Sequence, residues 1–252
     1  MKNAPNKPSY KVLGVPLQLH SMRSAVDEAL HALRGSSCTQ LITPNTEMVM
    51  QSRRNSALRA ALRSAYISVV DGVGLVWSLR FLYGARTERV TGVDLVQEII
   101  AQMNSQLPGG RVLFLGRADG LDPKSAQKAA AKLQATYKKL HIVGESIAHQ
   151  TAAPEIVHKF KPDLLVVCFG VPAEEVWINQ YREQLTGVKL AIGAGGTADF
   201  IAGVQKRAPR IWQKLGLEWL YRLIRQPKRI VRQLAIPYFM WLVVLSKFRQ
   251  QK

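Results

Sequence analysis

The amino-acid sequence predicts an α/β protein: a Rossmann-like parallel sheet with helices on both faces, followed by a basic amphipathic helical C-terminal appendage. Three observations predict it. Between residues 40 and 193, short apolar runs rich in β-branched residues alternate with segments of helical length and spacing. Those runs end in Gly or a polar group, as strands do at the carboxyl edge of a parallel sheet. After Gly203 the texture changes to Arg and Lys mixed with Trp, Leu and Ile. The chain therefore divides into a core, residues 1–203, and an appendage, residues 204–252.

In order, residues 12–19 read as a strand or hairpin bent at Gly14-Val15-Pro16. Ser24 can cap a helix through Leu33, because Ala25, Val26, Ala29, Leu30 and Leu33 share one face. Residues 40–43 form a strand. Asn45 caps a helix through Arg53, and Asn55 caps a second one through about residue 65. Strand 67–70 leads through Asp71-Gly72-Val73-Gly74 into a helix to about Leu82. A turn over residues 89–94 precedes a helix to about Met103. After Pro108-Gly109-Gly110, residues 112–115 are a buried strand ending at Gly116. Pro123 initiates a helix to Tyr137, residues 141–144 are a strand, and Pro154 opens a helix to Phe160. The most apolar run, residues 164–169, belongs at the sheet centre, covered on both faces. Pro172 starts a helix to about Leu185, and strand 189–192 ends in Gly193-Ala194-Gly195-Gly196. In the appendage, residues 207–225 read as helical and Pro227 begins another helix containing Ile230, Val231 and Leu234. An apolar run, residues 236–245, follows and is closed by Lys247 and Arg249.

Composition narrows the function classes. With 47% hydrophobic and 21% charged residues among 252, the chain is globular rather than disordered. Its net charge of +18 is unevenly spread: residues 203–252 hold 12 Lys or Arg and one acid. Such a field attracts nucleic acid, anionic lipid or phosphorylated substrates. Cys38 and Cys168 read as small buried hydrophobes, and the five histidines show no ligand spacing, so no metal is expected. The start is polar and Pro-rich, and the first apolar run is broken by Pro16 without a small-residue cleavage site. No signal peptide is read there, and a cytosolic compartment is expected. Residues 236–245 fall short of the ~20 apolar residues of a spanning helix. They suit an amphipathic helix in a membrane interface, and equally a helix packed on the protein's own core or in an oligomer contact.

Residues 41–72 read as a β-α-β unit whose two strands end at one sheet edge, placing Thr43, Asn45 and Asp71 to meet at a cleft. With an ordinary pKa of about 3.9, Asp71 is ionised at neutral pH and can accept a proton, or it can cap the next helix. Thr43 and Asn45 can hold a sugar or phosphate, or serve as caps. The Gly193–Gly196 loop can bring backbone N–H groups to a phosphate. It lacks the GxGxxG spacing and an acid at a dinucleotide offset, which argues against a nicotinamide-dependent oxidoreductase. Glu174 and Glu175 are either a cleft pair or first-turn acids. Arg222 and Arg225, spaced i, i+3, can clamp a diphosphate or be solvated.

Several segments together are specific: Thr43-Pro44-Asn45-x-Glu47, Asp71-Gly72-Val73-Gly74, Arg89-Val-Thr-Gly-Val-Asp94, Leu113-Phe-Leu-Gly116, Pro162-Asp163, Trp177-Ile178, Gly193-x-Gly-Gly-Thr-x-Asp199-Phe200-x-Ala-Gly203, and Arg207-Ala-Pro followed by Gly216-Leu-Glu-Trp-Leu-Tyr-Arg222-Leu. From about residue 10 to 235, in this order, the sequence resembles the WecG/TagA/CpsF glycosyltransferases, glycosyltransferase family 26. The resemblance implies an inverting enzyme of bacterial cell-surface polysaccharide synthesis. Such an enzyme moves a sugar (N-acetylmannosamine-type, or a related hexose or uronic acid) from a UDP-sugar to a polyprenyl-diphosphate-linked glycan. It works without metal or cofactor, peripherally bound to the anionic inner face of the plasma membrane, and no nucleic acid is expected.

By the same resemblance Asp71 is the general base and Thr43 is needed beside it. Asn45, Gly72, Arg89, Glu174, Gly195 and Gly196 bind substrate. Arg222 and Arg225 close over the nucleotide diphosphate, and the appendage docks the enzyme on the membrane. With no DxD-type metal motif evident, backbone N–H groups near Gly195 and Gly196 are expected to share the diphosphate's charge. The sequence departs from the family at Glu174, where Gln is usual, and at Ala198, where Phe is usual, which implies altered donor or acceptor preference. The alternative is a catalytically altered basic protein on the same fold that binds membrane or nucleic acid.

Overall fold

Among the described residues, eight strands fall into two sheets. A hairpin of β1 (Tyr10–Val12) and β2 (Val15–Leu17) stands apart. The main sheet comprises β3 (Thr39–Ile42), β4 (Ile67–Ser68), β5 (Arg111–Arg117), β6 (His141–Ile147), β7 (Leu164–Val167) and β8 (Leu190–Gly193), all parallel, in the order β4-β3-β8-β7-β5-β6. This computed structural model describes residues 10–225 and 235–250, with the side chains of Lys214, Arg222, Arg225, Arg249 and Gln250 excepted. The hairpin reverses at Leu13 and Gly14, both at positive φ (48° and 87°), so the bend read at Gly14-Val15-Pro16 starts one residue earlier and Val15 and Pro16 belong to β2. Two-residue hairpin turns need that conformation to match strand twist.

Helices cover both faces. Around β3 and β4 lie α1 (Met22–Leu33), α2 (Thr46–Ser52), α3 (Ser56–Ser64), α4 (Val73–Tyr83) and α5 (Gly92–Gln106). Then come α6 (Ser125–Thr136), α7 (Ala153–Phe160), α8 (Ala173–Tyr181) and α9 (Thr197–Ala202), and after them α10 (Arg210–Lys214), α11 (Glu218–Arg225) and α12 (Ala235–Gln250). Helix α1 starts ahead of the expected Ser24: Ser21 is its cap, and Ser24 completes the capping box from the N3 position. Asn45 and Asn55 cap α2 and α3 by accepting from the Met48 and Leu58 N–H groups at 3.0 and 2.9 Å. The helical stretch expected over residues 207–225 breaks into α10 and α11 at Gly216, whose φ of 71° ends a helix readily. The helix expected from Pro227 lies outside the described residues.

Strand residues alternate between two cores, as a pleat with a period of two dictates. Val112, Phe114, Leu164, Val166, Leu190 and Ile192 pack with α1, α5, α6 and α9. Leu113, Leu115, Leu165, Val167 and Ala191 pack with α7 and α8. The apolar β7 is flanked by β5 and β8, the buried interior position its composition calls for. A third cluster joins the hairpin, α2, α3 and α4 to α12 through fully buried Phe239 and Val243, one helical turn apart. One face of the 236–245 run is therefore core, while Tyr238 and Trp241 remain exposed. The Lys247 ammonium donates to the Phe81 carbonyl at 2.5 Å and sits 4.4 Å from the Phe81 ring centre, fixing α12 against the end of α4.

Candidate active site

Three segments that the sequence keeps apart are laced together beyond the carboxyl edge of β3 and β4. The Asp71 N–H donates to the Pro44 carbonyl at 3.0 Å, continuing the β3–β4 pairing past both strands. The Val90 N–H donates to the Val70 carbonyl at 2.9 Å and adds a third chain alongside. Residues 43–45, 71–74 and 89–92 thus lie abreast, each leading into a helix. Gly74 permits the closeness, since a Cβ there would lie 2.6 Å from Thr46 Oγ1, below any tolerable contact. Helices α2 and α4 can therefore start against one another.

A cavity of about 420 Å³ opens over these segments, within the size range of small-molecule sites. Asn45, Glu47, Asp71, Arg89 and Glu218 make its polar side, and Val73, Trp77, Trp219, Ile236 and Met240 its apolar side. Asp71 does not cap the helix that follows it. Gly72 holds that position, with no side-chain cap hydrogen bond. The Asp71 carboxylate instead turns to α5, where Oδ2 accepts from the Gly92 N–H at 3.4 Å. That amide is the first of the 15-residue helix α5. Thr43 is buried at 5% exposure and packs against the same glycine: a Cβ on Gly92 would meet Thr43 Oγ1 at 3.1 Å. Asn45 both caps α2 and lines the cavity.

Arg89 is the one cation among the described lining residues, against the three acids Glu47, Asp71 and Glu218. Its Nη2 donates to the Gln213 carbonyl at 3.2 Å and lies 3.7 Å from Glu218 Oε2. Behind Glu218, Arg207 grips Asp94 with both terminal nitrogens, and Thr91 donates its hydroxyl to the same carboxylate at 2.6 Å. Burial would raise the Asp94 pKa, but the Arg207 and Thr91 hydrogen bonds and the Arg207 and Arg89 charges outweigh it and hold it below the ordinary carboxylate range. Burial likewise opposes the charge on Arg207, and Asp94, Glu218 and Asp71 together keep it raised.

The structure therefore brings Asn45, Asp71, Gly72 and Arg89 to one cavity, with Thr43 just behind. It sets Glu174, Gly195 and Gly196 elsewhere along the same sheet edge, outside the cavity lining. Glu174 is 1% exposed, and its two oxygens accept from the Gly170 N–H at 2.8 Å and the Gly195 N–H at 3.1 Å. A Cβ on Gly195 would lie 2.8 Å from Gly170 Cα, so this glycine serves a close crossing of two loops. Arg222 and Arg225 belong to α11 by their backbone, and their side chains lie outside what is described.

Sequence reasoning did not single out Trp77, Trp219, Glu218 or Met240 as cavity residues. Trp77 had a signal, standing one helical turn after Val73. Glu218 and Trp219 had a weaker one, lying in the Gly216–Arg222 motif. Both cysteines are free and pack beside the core, and burial pushes their thiols up, that of Cys38 to about 11. Among the described residues no group of three His, Cys, Asp or Glu is placed to hold a metal ion, and no helix is long and apolar enough to cross a membrane. Compared with models of known protein families, residues 10–252 match the one described as the glycosyl transferase WecG/TagA/CpsF family.

Proposed function

The chain belongs to the WecG/TagA/CpsF family and is a glycosyltransferase, and on that premise we propose that it transfers a sugar from a UDP-sugar to a polyprenyl-diphosphate-linked glycan during cell-surface polysaccharide synthesis. The observation that carries this reading is Asp71. Its carboxylate lines a cavity of about 420 Å³ at the start of α4 and accepts from the first amide of α5.

The acceptor hydroxyl sits at Asp71. Its oxygen attacks the donor's anomeric carbon from the face opposite UDP and inverts that centre. As the new C–O bond forms, the bond to the UDP oxygen breaks and the hydroxyl proton passes to Asp71. Negative charge then grows on the β-phosphate, where Arg89 and the Val73 and Gly74 amides can meet it. This site takes the place of Gly195, whose amide is engaged by Glu174. Arg222 and Arg225 supply further positive charge, which three lining acids make necessary.

The apolar wall of Val73, Trp77, Ile236 and Met240 suits an acceptor carrying a hydrocarbon chain. Ile211, Leu215 and Ile224, exposed at 71%, 66% and 63%, suit insertion into a membrane interface on the cytoplasmic side, with the basic tail drawn to anionic lipid. Binding tests the reading. UDP should raise the thermal midpoint in proportion to the logarithm of its concentration, without added metal. Absence of any UDP effect, together with tight binding of nucleic acid that collapses with salt, would favour a basic binding protein instead.

A further inference from the structure

The charged groups around Arg89 alternate in sign across the boundary between the core and the C-terminal helices. Arg89 and Asp94 come from the segment before and within α5, and Arg207 and Glu218 from the segment that carries α10 and α11. The order in space is Arg89, Glu218, Arg207, Asp94. Glu218 stands in the middle, 6% exposed, with Oε2 3.7 Å from Arg89 Nη2 and 3.7 Å from Arg207 Nη2. The outer pair is closed tightly by the two-pronged Arg207–Asp94 contact.

Two features of this arrangement point beyond packing. First, Glu218 lines the cavity next to Arg89, the one cation among the described lining residues, so whatever fixes Arg89 fixes where an anion is met. Second, 3.7 Å is longer than the roughly 2.7–2.9 Å of a charge-assisted hydrogen bond. Glu218 thus orients the guanidinium by charge, without closing a short contact on its N–H groups. Without that carboxylate, Arg89 and Arg207 would face each other as like charges across a poorly solvated gap, and each would be driven away.

We propose that Glu218 is a positioning residue: it holds Arg89 at the cavity and makes that position conditional on the seating of residues 207–218. The site then has its anion-binding arginine only when the C-terminal helices are docked. This deepens, and rests on, the reading of the cavity as a nucleotide-diphosphate site.

The test is a double-mutant cycle in the full chain with E218A, R89A and the double variant, followed by two readouts. One is UDP affinity by calorimetry. The other, without ligand, is the rate of protease cleavage within residues 203–217. Acting through Arg89, E218A weakens UDP binding about tenfold in the wild-type background and less than about twofold in the R89A background. Cleavage rises in each single variant and no further in the double. A merely structural role gives additive effects in both readouts, which overturns the proposal. Should E218A fail to fold, E218Q, which keeps the volume and removes the charge, takes its place in the same cycle. If the wild type binds no UDP, the donor reading fails and the cleavage cycle alone decides: non-additivity supports Glu218 as the holder of Arg89, and additivity overturns it.

Discussion

The Asp71 carboxylate accepts from the Gly92 amide at 3.4 Å, near the limit of a hydrogen bond, and Thr43 Oγ1 packs against that same glycine. Carboxylate, helix terminus and buried threonine therefore form one unit in which a few tenths of an ångström matter. Gly92→Ala puts a methyl 3.1 Å from the Thr43 hydroxyl and moves the amide off Asp71. The expected result is a fall in kcat of about tenfold with stability lowered by no more than about 1 kcal/mol. Steady-state kinetics beside urea denaturation check it; an unchanged kcat would show that the contact is idle.

Gly74 is explained by contact alone. Gly74→Ala drives a methyl to within 2.6 Å of Thr46 Oγ1. Overpacking of this kind costs about 1–3 kcal/mol, more than the up to ~1 kcal/mol that Ala gains over Gly in a helix. In a Thr46→Ala background the same change should be neutral or stabilising. Urea midpoints of the four proteins give the comparison, and equal losses in both backgrounds would rule out the clash as the cause.

Glu174 and Glu175 are buried side by side, and burial pushes both carboxyls up, Glu174 to about 7 despite the Gly170 and Gly195 amides. Glu175 is also raised well above the ordinary range, first by its burial and then by the neighbouring Glu174 charge. The unfolded chain releases these protons near pH 4.3, whereas the folded chain keeps them higher. The folded state therefore binds more protons above the unfolded values, so this contribution to stability falls as pH rises from about 4.5 through the raised folded pKa values, about 7 for Glu174. Glu175→Gln removes one such proton and should flatten the decline by up to about 1.4 kcal/mol per pH unit. Chemical denaturation from pH 5 to 8 reads it directly. An unaltered slope would mean that Glu175 ionises normally in the fold.

Ile211, Leu215 and Ile224 are well exposed, so changing all three to Ser should leave the fold within about 0.5 kcal/mol per site. Each buried side chain of this size contributes about 1.5–3 kcal/mol, so partition onto anionic vesicles should fall at least tenfold. Co-sedimentation with vesicles measures it. Undiminished binding would move the membrane contact to another surface, with the Tyr238–Trp241 side of α12 next to be tried.

What the sequence could and could not foretell follows from the range of the interactions involved. The six parallel strands, the Asn45 and Asn55 caps and the meeting of Thr43, Asn45 and Asp71 were legible because period, caps and strand ends are local features. The first-turn reading of Glu174 and Glu175 was legible as well, since both stand in the first turn of α8. Their burial was not, because it depends on Gly170, Gly193 and Gly195, which only the fold brings against them. Arg89 pairs with Glu218 and with the carbonyl of Gln213, more than 120 positions away, so no spacing rule could place the C-terminal helices over the cavity. Asp71 was ambiguous between cap and base because both readings need the same residue at the same strand end. The structure gives the cap position to Gly72.

The most direct measurement follows UDP release from a panel of UDP-sugars mixed with a polyprenyl-diphosphate-linked acceptor, for the wild-type chain and for Asp71→Asn. The account predicts acceptor-dependent release by the wild type and a loss of about 10²–10⁴-fold in the variant, which should still bind UDP. Near-normal turnover by Asp71→Asn would contradict it.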